Sequence, residues 1–164
     1  MAVITTKNAK ETQKVASLLA GEAPRVETDH ALVICLNGEL GAGKTTLVQG
    51  FCRALGITER ITSPTFVLMK IYQLNHRTRS MKHIAQNRSR FKHLAHIDCY
   101  RIERPDELPH LGLDEILADP DTIVLIEWAN RIKKILPADV ITLNLGHGKR
   151  PTERTIEIMY GTKR

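Results

Sequence analysis

The feature that most constrains this chain is a glycine-rich stretch between an apolar run and an amphipathic segment. Residues 31–36 (ALVICL) are continuously apolar, which favours a strand covered on both faces, as in a parallel sheet. Residues 38–45 (GELGAGKT) follow almost at once. Residues 44–55 then carry leucine and phenylalanine at helical spacing, and Gly56 follows as a stop signal. A strand, a tight turn and a helix in this order predict an α/β fold.

The glycine-rich stretch fits the pattern G-x-x-x-x-G-K-[ST] with Gly38, Gly43, Lys44 and Thr45. Glycines let the backbone curl so that successive N–H groups point inward, and the following helix N-terminus also attracts anions. Lys44 adds a positive charge at the β and γ phosphates, and the Thr45 hydroxyl is suited to Mg²⁺. The pattern is a P-loop, which predicts a nucleotide site. The predicted nucleotide-binding residues of this stretch are Gly38, Glu39, Leu40, Gly41, Ala42, Gly43, Lys44, Thr45 and Thr46.

Two acidic residues end predicted strands further along the chain. Asp98 ends residues 93–98 (HLAHID), and Glu127 ends residues 122–127 (TIVLIE). Parallel strands end at the ligand-binding edge of such sheets, where P-loop proteins use an acid to hold magnesium directly or through water. Spacing alone leaves open which acid binds the metal and which orients water. The chain contains no N-K-x-D sequence for guanine, which favours ATP over GTP.

A helix is also predicted near the start of the chain, after a short strand at residues 3–5. Asn8 and Glu11 have the spacing of a capping box, in which side chains bond backbone N–H groups at the first turn. The predicted inward face of this helix consists of Val15, Leu18 and Leu19.

Late in the chain, residues 140–145 (VITLNL) and 154–160 (RTIEIMY) alternate apolar and polar side chains and are joined through residues 146–148 (GHG). This pattern predicts a closing antiparallel pair. The whole sequence predicts an α/β, three-layer P-loop NTPase-like fold with a mostly parallel central sheet and a late hairpin. A length of 164 residues and a hydrophobic content of 42% suit a single P-loop ATPase domain over residues 1–164.

The positive charge of the chain is concentrated in one segment. The net charge is +6, and residues 70–93 contain seven basic residues and no acidic residue. The rest of the chain therefore carries only −1. The basic character is a property of this segment and says little about the domain as a whole.

The cysteines and the hydropathy of the sequence favour a cytoplasmic location. Cys35, Cys52 and Cys99 are odd in number and widely spaced, which favours reduced thiols in a cytosolic protein. No apolar run approaches the roughly 20 residues of a membrane span. Residues 1–7 (MAVITTK) are too short and polar for a secretory signal. We therefore expect a cytoplasmic protein that does not engage a membrane.

Several stretches occur in an order that one known family shares. They are residues 38–46 (GELGAGKTT), 62–66 (TSPTF), 96–101 (HIDCYR), 107–108 (EL) with 111–112 (LG), 126–128 (IEW) and 135–139 (ILPAD). In this combination the chain resembles the bacterial TsaE (YjeE) family. The resemblance spans nearly the whole sequence, and the combined pattern is far more specific than the P-loop alone.

The resemblance implies a function. It implies a cytoplasmic ATPase needed to make threonylcarbamoyladenosine at position 37 (t6A37) of tRNAs that read ANN codons. The implied partners are the TsaD and TsaB proteins, of which TsaD is the transferase, and tRNA is engaged indirectly via their complex. Hydrolysis of ATP is implied to reset this complex between turnovers.

The resemblance also implies roles for the residues at the site. Thr45 and Glu127 are the implied magnesium ligands, and Asp98 is implied as a second essential acid near the γ-phosphate. Asp98 and Lys44 are therefore the predicted catalytic residues. Residues 63–65 (SPT) resemble a switch loop that senses the γ-phosphate.

Three further residues are implied more loosely. Thr12, with Asn8 or Glu11, occupies a position near the adenine in family members, and Arg154 reaches the nucleotide from the late hairpin. A surface role for Thr12 and Arg154 remains an open alternative. Trp128 matches the tryptophan that follows the metal-binding acid in the family. The sequence fits a core or lid role for this residue at least as well as a direct contact with the nucleotide.

The chain departs from the family pattern at residues 75–91, which look like a basic insertion where relatives have a shorter hairpin. A solvated loop and an RNA-facing or partner-facing arm both remain open, since Arg and Lys neutralise phosphates. Two other functions also remain as alternatives. A small-molecule P-loop kinase needs an acceptor pocket and an Arg-rich lid, whereas a nucleotide-gated RNA-binding module uses the basic arm.

Overall fold

The computed structural model describes residues 2–65, 68–74, 90–103, 108 and 112–162. The strands are β1 (Ala2–Thr6), β2 (Leu32–Asn37), β3 (Met69–Gln73), β4 (His93–Asp98), β5 (Thr122–Glu127), β6 (Ile141–His147) and β7 (Arg154–Tyr160). The helices are α1 (Ala9–Glu22), α2 (Lys44–Ala54) and α3 (Leu113–Ala118), with 3₁₀ turns at Ala23–Arg25, Ala129–Arg131 and Lys133–Ile135. None of the helices in these ranges combines the length and apolar character that crossing a bilayer requires.

Within the described ranges, seven strands form one sheet in the order β1-β7-β6-β2-β5-β4-β3. The four central strands, β6, β2, β5 and β4, run parallel, and the strands at both edges pair antiparallel. β6 and β7 pair from Ile141 with Tyr160 to His147 with Arg154. The late hairpin and the parallel core are therefore confirmed, although β6 continues through residues that were expected in the turn.

Two apolar clusters, one on each face of the sheet, make the structure three-layered. On one face, α1 and α2 pack against strand residues that include Ile34 and Leu36. On the other face, α3 and the turns after β5 pack against residues that include Val33 and Cys35. Because side chains alternate along a strand, neighbouring residues of β2 enter different clusters. Burial on both faces explains why this segment of the sequence is continuously apolar.

α1 begins with a capping box that is displaced by one residue. Asn8 Oδ1 accepts the N–H of Glu11 at 3.0 Å, as predicted. Glu11 Oε2 accepts the N–H of Lys7 at 2.8 Å, one residue before the cap. The first interaction satisfies an N–H group that the first turn of the helix leaves unpaired, and the second satisfies an N–H group just before the helix.

The prediction for the inward face of α1 was partly wrong, because Leu18 is 66% exposed. Val15 and Leu19 are partly buried against the core. The fully buried residues of α1 are Thr12, Ala16 and Ala20. These small side chains let α1 lie close to α2, where a Cβ added to Gly50 would come within 2.6 Å of the Gln13 Cα. Close approach of the two helices, and not leucine packing, decides which face is buried.

Most of the basic insertion predicted at residues 75–91 falls on residues 75–89, which lie outside the described residues. The last two residues of that range, Arg90 and Phe91, are described, and both contact the rest of the domain. Phe91 is fully buried in the core on the α1 and α2 side. The Arg90 guanidinium donates to the carbonyl of Thr28 at 2.7 Å.

Replacing Gly50 with alanine should lower the free energy of unfolding by about 1–3 kcal/mol, because the new methyl group collides with the backbone of α1. Gly21→Ala is the matched control, since no atom lies within 4 Å of the Cβ it adds. A helical glycine-to-alanine change without contacts should stabilise α1 by up to about 1 kcal/mol. Urea unfolding followed by circular dichroism measures both changes. Equal stability of the two variants would contradict the close packing of α1 on α2.

Candidate functional site

The loop between β2 and α2 curls tightly because glycines occupy its strained positions. Gly38 has φ +144° and Gly43 has φ +97°. A Cβ on Gly38 would also lie 2.3 Å from the Leu145 carbonyl oxygen, so no larger residue fits there. Gly43 is the N-cap of α2 and supplies no side-chain hydrogen bond to the first turn. The N–H groups of that turn therefore face the loop as donors for an anion.

The Lys44 side chain is held inside this loop. Lys44 is only 5% exposed, and its Nζ donates to the carbonyls of Gly38 at 2.8 Å and Glu39 at 2.9 Å. The Nζ atom also lies 4.0 Å from the ring centroid of Trp128. Burial lowers the pKa of Lys44, while the nearby carboxylate of Glu127 opposes that change. The ammonium is thus fixed where the phosphates of a nucleotide are expected.

The first turn of α2 contacts the end of β5. The Thr45 hydroxyl lies 2.9 Å from Oε1 and 3.0 Å from Oε2 of Glu127, and Glu127 is 2% exposed. Hydroxyl and carboxylate oxygens are hard ligands of the kind that Mg²⁺ prefers. The structure therefore brings together the two residues that were predicted to bind the metal.

The number of ligands also fits magnesium. In the described part of the chain, no group of three or more His, Cys, Asp or Glu side chains gathers into a metal site. Thr45 and Glu127 would supply only two oxygen ligands. Mg²⁺ is characteristically bound in this way, by one or two protein groups together with substrate phosphates and water. The residues present fit a metal that is bound jointly with a phosphate compound.

Asp98 lies next to Glu127, because β4 and β5 are parallel and the two acids pair in register. The Asp98 Oδ2 atom accepts hydrogen bonds from the hydroxyls of Ser63 and Thr65, the latter at 2.7 Å. Its Oδ1 atom accepts the N–H of Tyr100 at 2.8 Å. The predicted second acid is therefore beside the first, and the predicted switch residues are its direct partners.

Two aromatic residues form one wall of the site. Trp128 has φ +60°, an unusual conformation for a bulky residue, and its N–H donates to the Leu36 carbonyl at 2.9 Å. The rings of Tyr100 and Trp128 lie 5.1 Å apart between centroids. Trp128 is thus held against Lys44 by its backbone as well as by its ring. Tyr100 was not predicted as a site residue, although it belongs to the family stretch at residues 96–101.

These residues line one cavity of about 370 Å³. Its lining includes Lys44, Thr45, Asp98, Glu127 and Trp128. The switch residues Ser63 and Thr65 and the loop residues Leu40, Gly41, Gly43 and Thr46 also line it. All residues predicted to contact phosphates or metal through their side chains therefore face the same space.

Thr12 and Arg154 line a neighbouring cavity of about 270 Å³. Gly41, Gly43 and Thr46 line both cavities, so the two spaces meet at the loop. The Thr12 hydroxyl is 2.8 Å from that of Thr6 and is buried. The Arg154 Nε donates to the Gly41 carbonyl at 2.9 Å. Both residues lie beside the loop, where Arg154 also supports the backbone of the loop.

The remaining predicted loop residues differ in exposure. Leu40 is 78% exposed at the tip of the loop, whereas Ala42 is fully buried beneath it. Glu39 contributes its backbone carbonyl to the loop, where it accepts a hydrogen bond from Lys44 Nζ. These positions can therefore contribute backbone groups to a ligand, and Leu40 an exposed apolar side chain.

A larger depression, of about 610 Å³, lies at the other end of α2. It is lined by Gln49, Arg53 and residues 56–62. It contains neither the lysine of the loop nor the paired acids of the strand ends. Volume alone would favour this depression, but the chemistry favours the smaller cavity at the loop.

One polar residue at the site was missed. His96 Nε2 lies 3.0 Å from Glu127 Oε1, and His96 is fully buried. The alternation of side chains along residues 93–98 places His96 and Asp98 on one face, which is a signal available in the sequence. The contact with Glu127 depends on the register between β4 and β5, which the sequence does not reveal.

The chain is similar to known proteins of one family. Residues 6–156 match the family described as "TsaE: Threonylcarbamoyl adenosine biosynthesis protein TsaE". The chain is 32% identical over 138 residues to the protein named tRNA threonylcarbamoyladenosine biosynthesis protein TsaE of Haemophilus influenzae, covering 84% of this chain and 76% of that protein. It is 37% identical over 134 residues to the Bacillus subtilis protein of the same name, covering 82% and 70%.

A solved structure is similar over nearly the whole chain. The crystal structure of Bacillus subtilis YdiB superposes with a TM-score of 0.70 and 29% sequence identity. The superposition covers 99% of this chain and 86% of that chain. Taken together with the family match over most of the sequence, these similarities show that the chain belongs to the TsaE family of tRNA threonylcarbamoyladenosine biosynthesis.

Proposed function

We propose that this chain binds ATP with Mg²⁺ at the phosphate loop and hydrolyses it as the ATPase component of t6A37 synthesis. In this proposal it acts in the cytoplasm with TsaD and TsaB and reaches tRNA through their complex. The observation that supports it most is the meeting of Lys44, the Thr45–Glu127 pair and Asp98 in one cavity. A cation, a metal-binding pair and a second acid at the edge of a parallel sheet are the parts that phosphoryl transfer uses.

Binding of the phosphates rests on the loop and on Lys44. Lys44, Thr45 and Thr46 of the first turn of α2 line the cavity, so their N–H groups and the Lys44 ammonium can share the charge of a triphosphate. Burial lowers the pKa of Lys44. A phosphate beside it favours the charged form, because an opposite charge nearby stabilises the ammonium.

Metal binding rests on Thr45 and Glu127. The Thr45 hydroxyl already bonds the Glu127 carboxylate, so both oxygens are placed at the same end of the cavity. Thr45 and Glu127 would hold Mg²⁺ there, and the metal would supply positive charge to offset the negative charge that develops on the phosphates. Glu127 is 2% exposed, and this burial keeps its carboxylate from reorienting into solvent.

Activation of water rests on Asp98 and the loop at residues 63–65. The Ser63 and Thr65 hydroxyls donate to Asp98 and also line the cavity. A γ-phosphate oxygen competes with Asp98 for the same hydroxyl donors. Once those donors turn to the phosphate, the Asp98 carboxylate is free to accept a proton from the attacking water. The loop therefore links the presence of the γ-phosphate to the availability of the base.

The neighbouring cavity suits the ribose or the base. Thr12, Thr46 and Arg154 line it, and it meets the phosphate cavity at the loop. The two cavities share Gly41, Gly43 and Thr46, so a nucleotide whose γ-phosphate faces Asp98 can place its nucleoside in the neighbouring cavity. The absence of an N-K-x-D sequence supports adenine as the base.

Lys44→Ala should weaken binding of ATP with Mg²⁺ by about 10- to 100-fold, because a charge-assisted hydrogen bond worth ~1.5–3 kcal/mol is lost. Isothermal titration calorimetry measures the affinity directly. Lys14→Ala is the matched control, since Lys14 is exposed on α1, and it should bind like the wild type. Unchanged affinity in Lys44→Ala would place the phosphates somewhere other than this loop.

Asp98→Asn should separate binding from turnover. ATP affinity should stay within about threefold of wild type, while hydrolysis should fall by about 100-fold or more, as for the loss of a general base. Asp114→Asn is the matched control, because Asp114 is exposed in the first turn of α3. Steady-state phosphate release and calorimetric binding are measured on both variants. Wild-type turnover in Asp98→Asn would remove Asp98 from the mechanism.

The function as a whole is tested by measuring ATP hydrolysis with and without purified TsaB and TsaD, alongside t6A formation on tRNA. We expect slow hydrolysis by the protein alone, faster hydrolysis with both partners, and t6A formation over repeated turnovers only when all three are present. Transfer of phosphate to a small metabolite without stimulation by the partners would favour the kinase alternative instead.

A further inference from the structure

A buried histidine lies behind the proposed metal-binding acid. Side chains alternate along β4, so His96 and Asp98 point to the same side of the sheet, and Asp98 pairs in register with Glu127. His96 Nε2 lies 3.0 Å from Glu127 Oε1, and the two side chains are 0% and 3% exposed. His96 does not line the phosphate cavity. It therefore reaches Glu127 from the protein interior and not from the ligand side.

The two oxygens of Glu127 are in different environments. Oε1 contacts both the Thr45 hydroxyl, at 2.9 Å, and His96 Nε2, at 3.0 Å. Among the described residues, Oε2 contacts only the Thr45 hydroxyl, at 3.0 Å. A buried carboxylate is costly unless its oxygens are hydrogen-bonded, so the contact with His96 is a substantial part of what holds Oε1 in place. Oε2 is left as the oxygen that can accept a further partner.

The second ring nitrogen indicates which way the hydrogen bond runs. In the described part of the chain, His96 Nδ1 is buried and has no hydrogen-bond partner. A proton on Nδ1 would be a buried donor without an acceptor, which is unfavourable. We therefore assign the ring proton to Nε2 from the hydrogen-bond network, so that His96 donates to the Glu127 carboxylate.

We propose that His96 is a positioning residue, whose Nε2–H fixes the rotamer of Glu127 so that Oε2 faces the magnesium position beside Thr45. This inference rests on the proposed function, in which Thr45 and Glu127 hold Mg²⁺. Groups behind a metal ligand set the orientation of that ligand, and their loss commonly weakens metal binding without removing any ligand.

If His96 had only a packing role, the side chain at this position would need the right size but no hydrogen-bond donor. An apolar residue of similar size would fill the same interior space next to Leu94, which lies on the same face of β4 and is fully buried. It would supply no donor to Oε1, so Glu127 would be freer to rotate. Packing and positioning are therefore separated by comparing an apolar replacement with one that keeps the donor.

His96→Leu and His96→Gln make this comparison, because the glutamine amide can place an N–H near the position of Nε2. The measured quantity is the Mg²⁺ concentration that gives half-maximal ATP binding, followed by fluorescence of Trp128, the one tryptophan in the chain. We expect His96→Leu to raise this concentration by about 10- to 100-fold. We expect ATP affinity in EDTA to be unchanged, and His96→Gln to restore most of the response to Mg²⁺.

Leu94→Ala is the matched control, since it weakens β4 on the same face without touching Glu127. Urea unfolding of every variant shows how far each one is destabilised. We expect Leu94→Ala to lose stability and to keep the wild-type response to Mg²⁺. Where His96→Leu does not fold, His96→Asn takes its place, because its shorter amide does not reach Glu127, and the same loss of Mg²⁺ response is expected.

A wild-type response to Mg²⁺ in His96→Leu overturns the proposal, as does an equal shift in Leu94→Ala. A folded His96→Gln variant that fails to recover the response also overturns it, because the donor would then be irrelevant. If the wild type itself binds ATP equally well with Mg²⁺ and with EDTA, the proposed function is contradicted. The role proposed for His96 is then contradicted as well, because it requires Mg²⁺ at Thr45 and Glu127. The wild-type titration therefore distinguishes the two failures.

Discussion

The hydrogen bonds from the Thr45 hydroxyl to the Glu127 carboxylate tie together the parts on which the rest of the site depends. Thr45 lies in the first turn of α2, directly after the phosphate loop, and Glu127 ends β5 between β2 and β4. The contact therefore aligns the helix that presents N–H groups to an anion with the edge of the sheet that carries both acids. A shift of either element would separate the loop and Lys44 from the two acids at the strand ends, and the proposed function needs both sets for phosphoryl transfer.

The loop at residues 63–65 is connected to the same helix by a second route. Gln49 lies one turn after Thr45 on α2, and its amide donates to the Ile61 carbonyl at 3.0 Å. That bond holds the segment leading into Ser63 and Thr65, whose hydroxyls donate to Asp98. α2 thus positions the Thr45–Glu127 pair at its first turn and the segment that carries the partners of Asp98 one turn later.

The sequence predicted the elements that carry chemistry more closely than the packing between them. The ends of β4 and β5 fall at Asp98 and Glu127 as expected, and parallel strands necessarily bring such ends together. The exposure of Leu18 was not predicted, because helical periodicity does not reveal that α1 approaches α2 through alanine and threonine. The contact between His96 and Glu127 was missed for a related reason, since it depends on the register of two strands that are distant in the chain. Local patterns report propensity and spacing, whereas these contacts are set by tertiary packing.

The charges at the site support joint binding of nucleotide and metal. Lys44, Asp98 and Glu127 are all at most 5% exposed, and together they carry one positive and two negative formal charges. A bare triphosphate entering such a cavity would meet the loop and Lys44 on one side and repulsion from two carboxylates on the other. In the proposed function, a divalent cation held by Thr45 and Glu127 would offset that repulsion, because it would add positive charge beside the two carboxylates. If His96 positions Glu127 as proposed, loss of its Nε2–H would weaken the joint binding of nucleotide and metal, although His96 does not line the cavity.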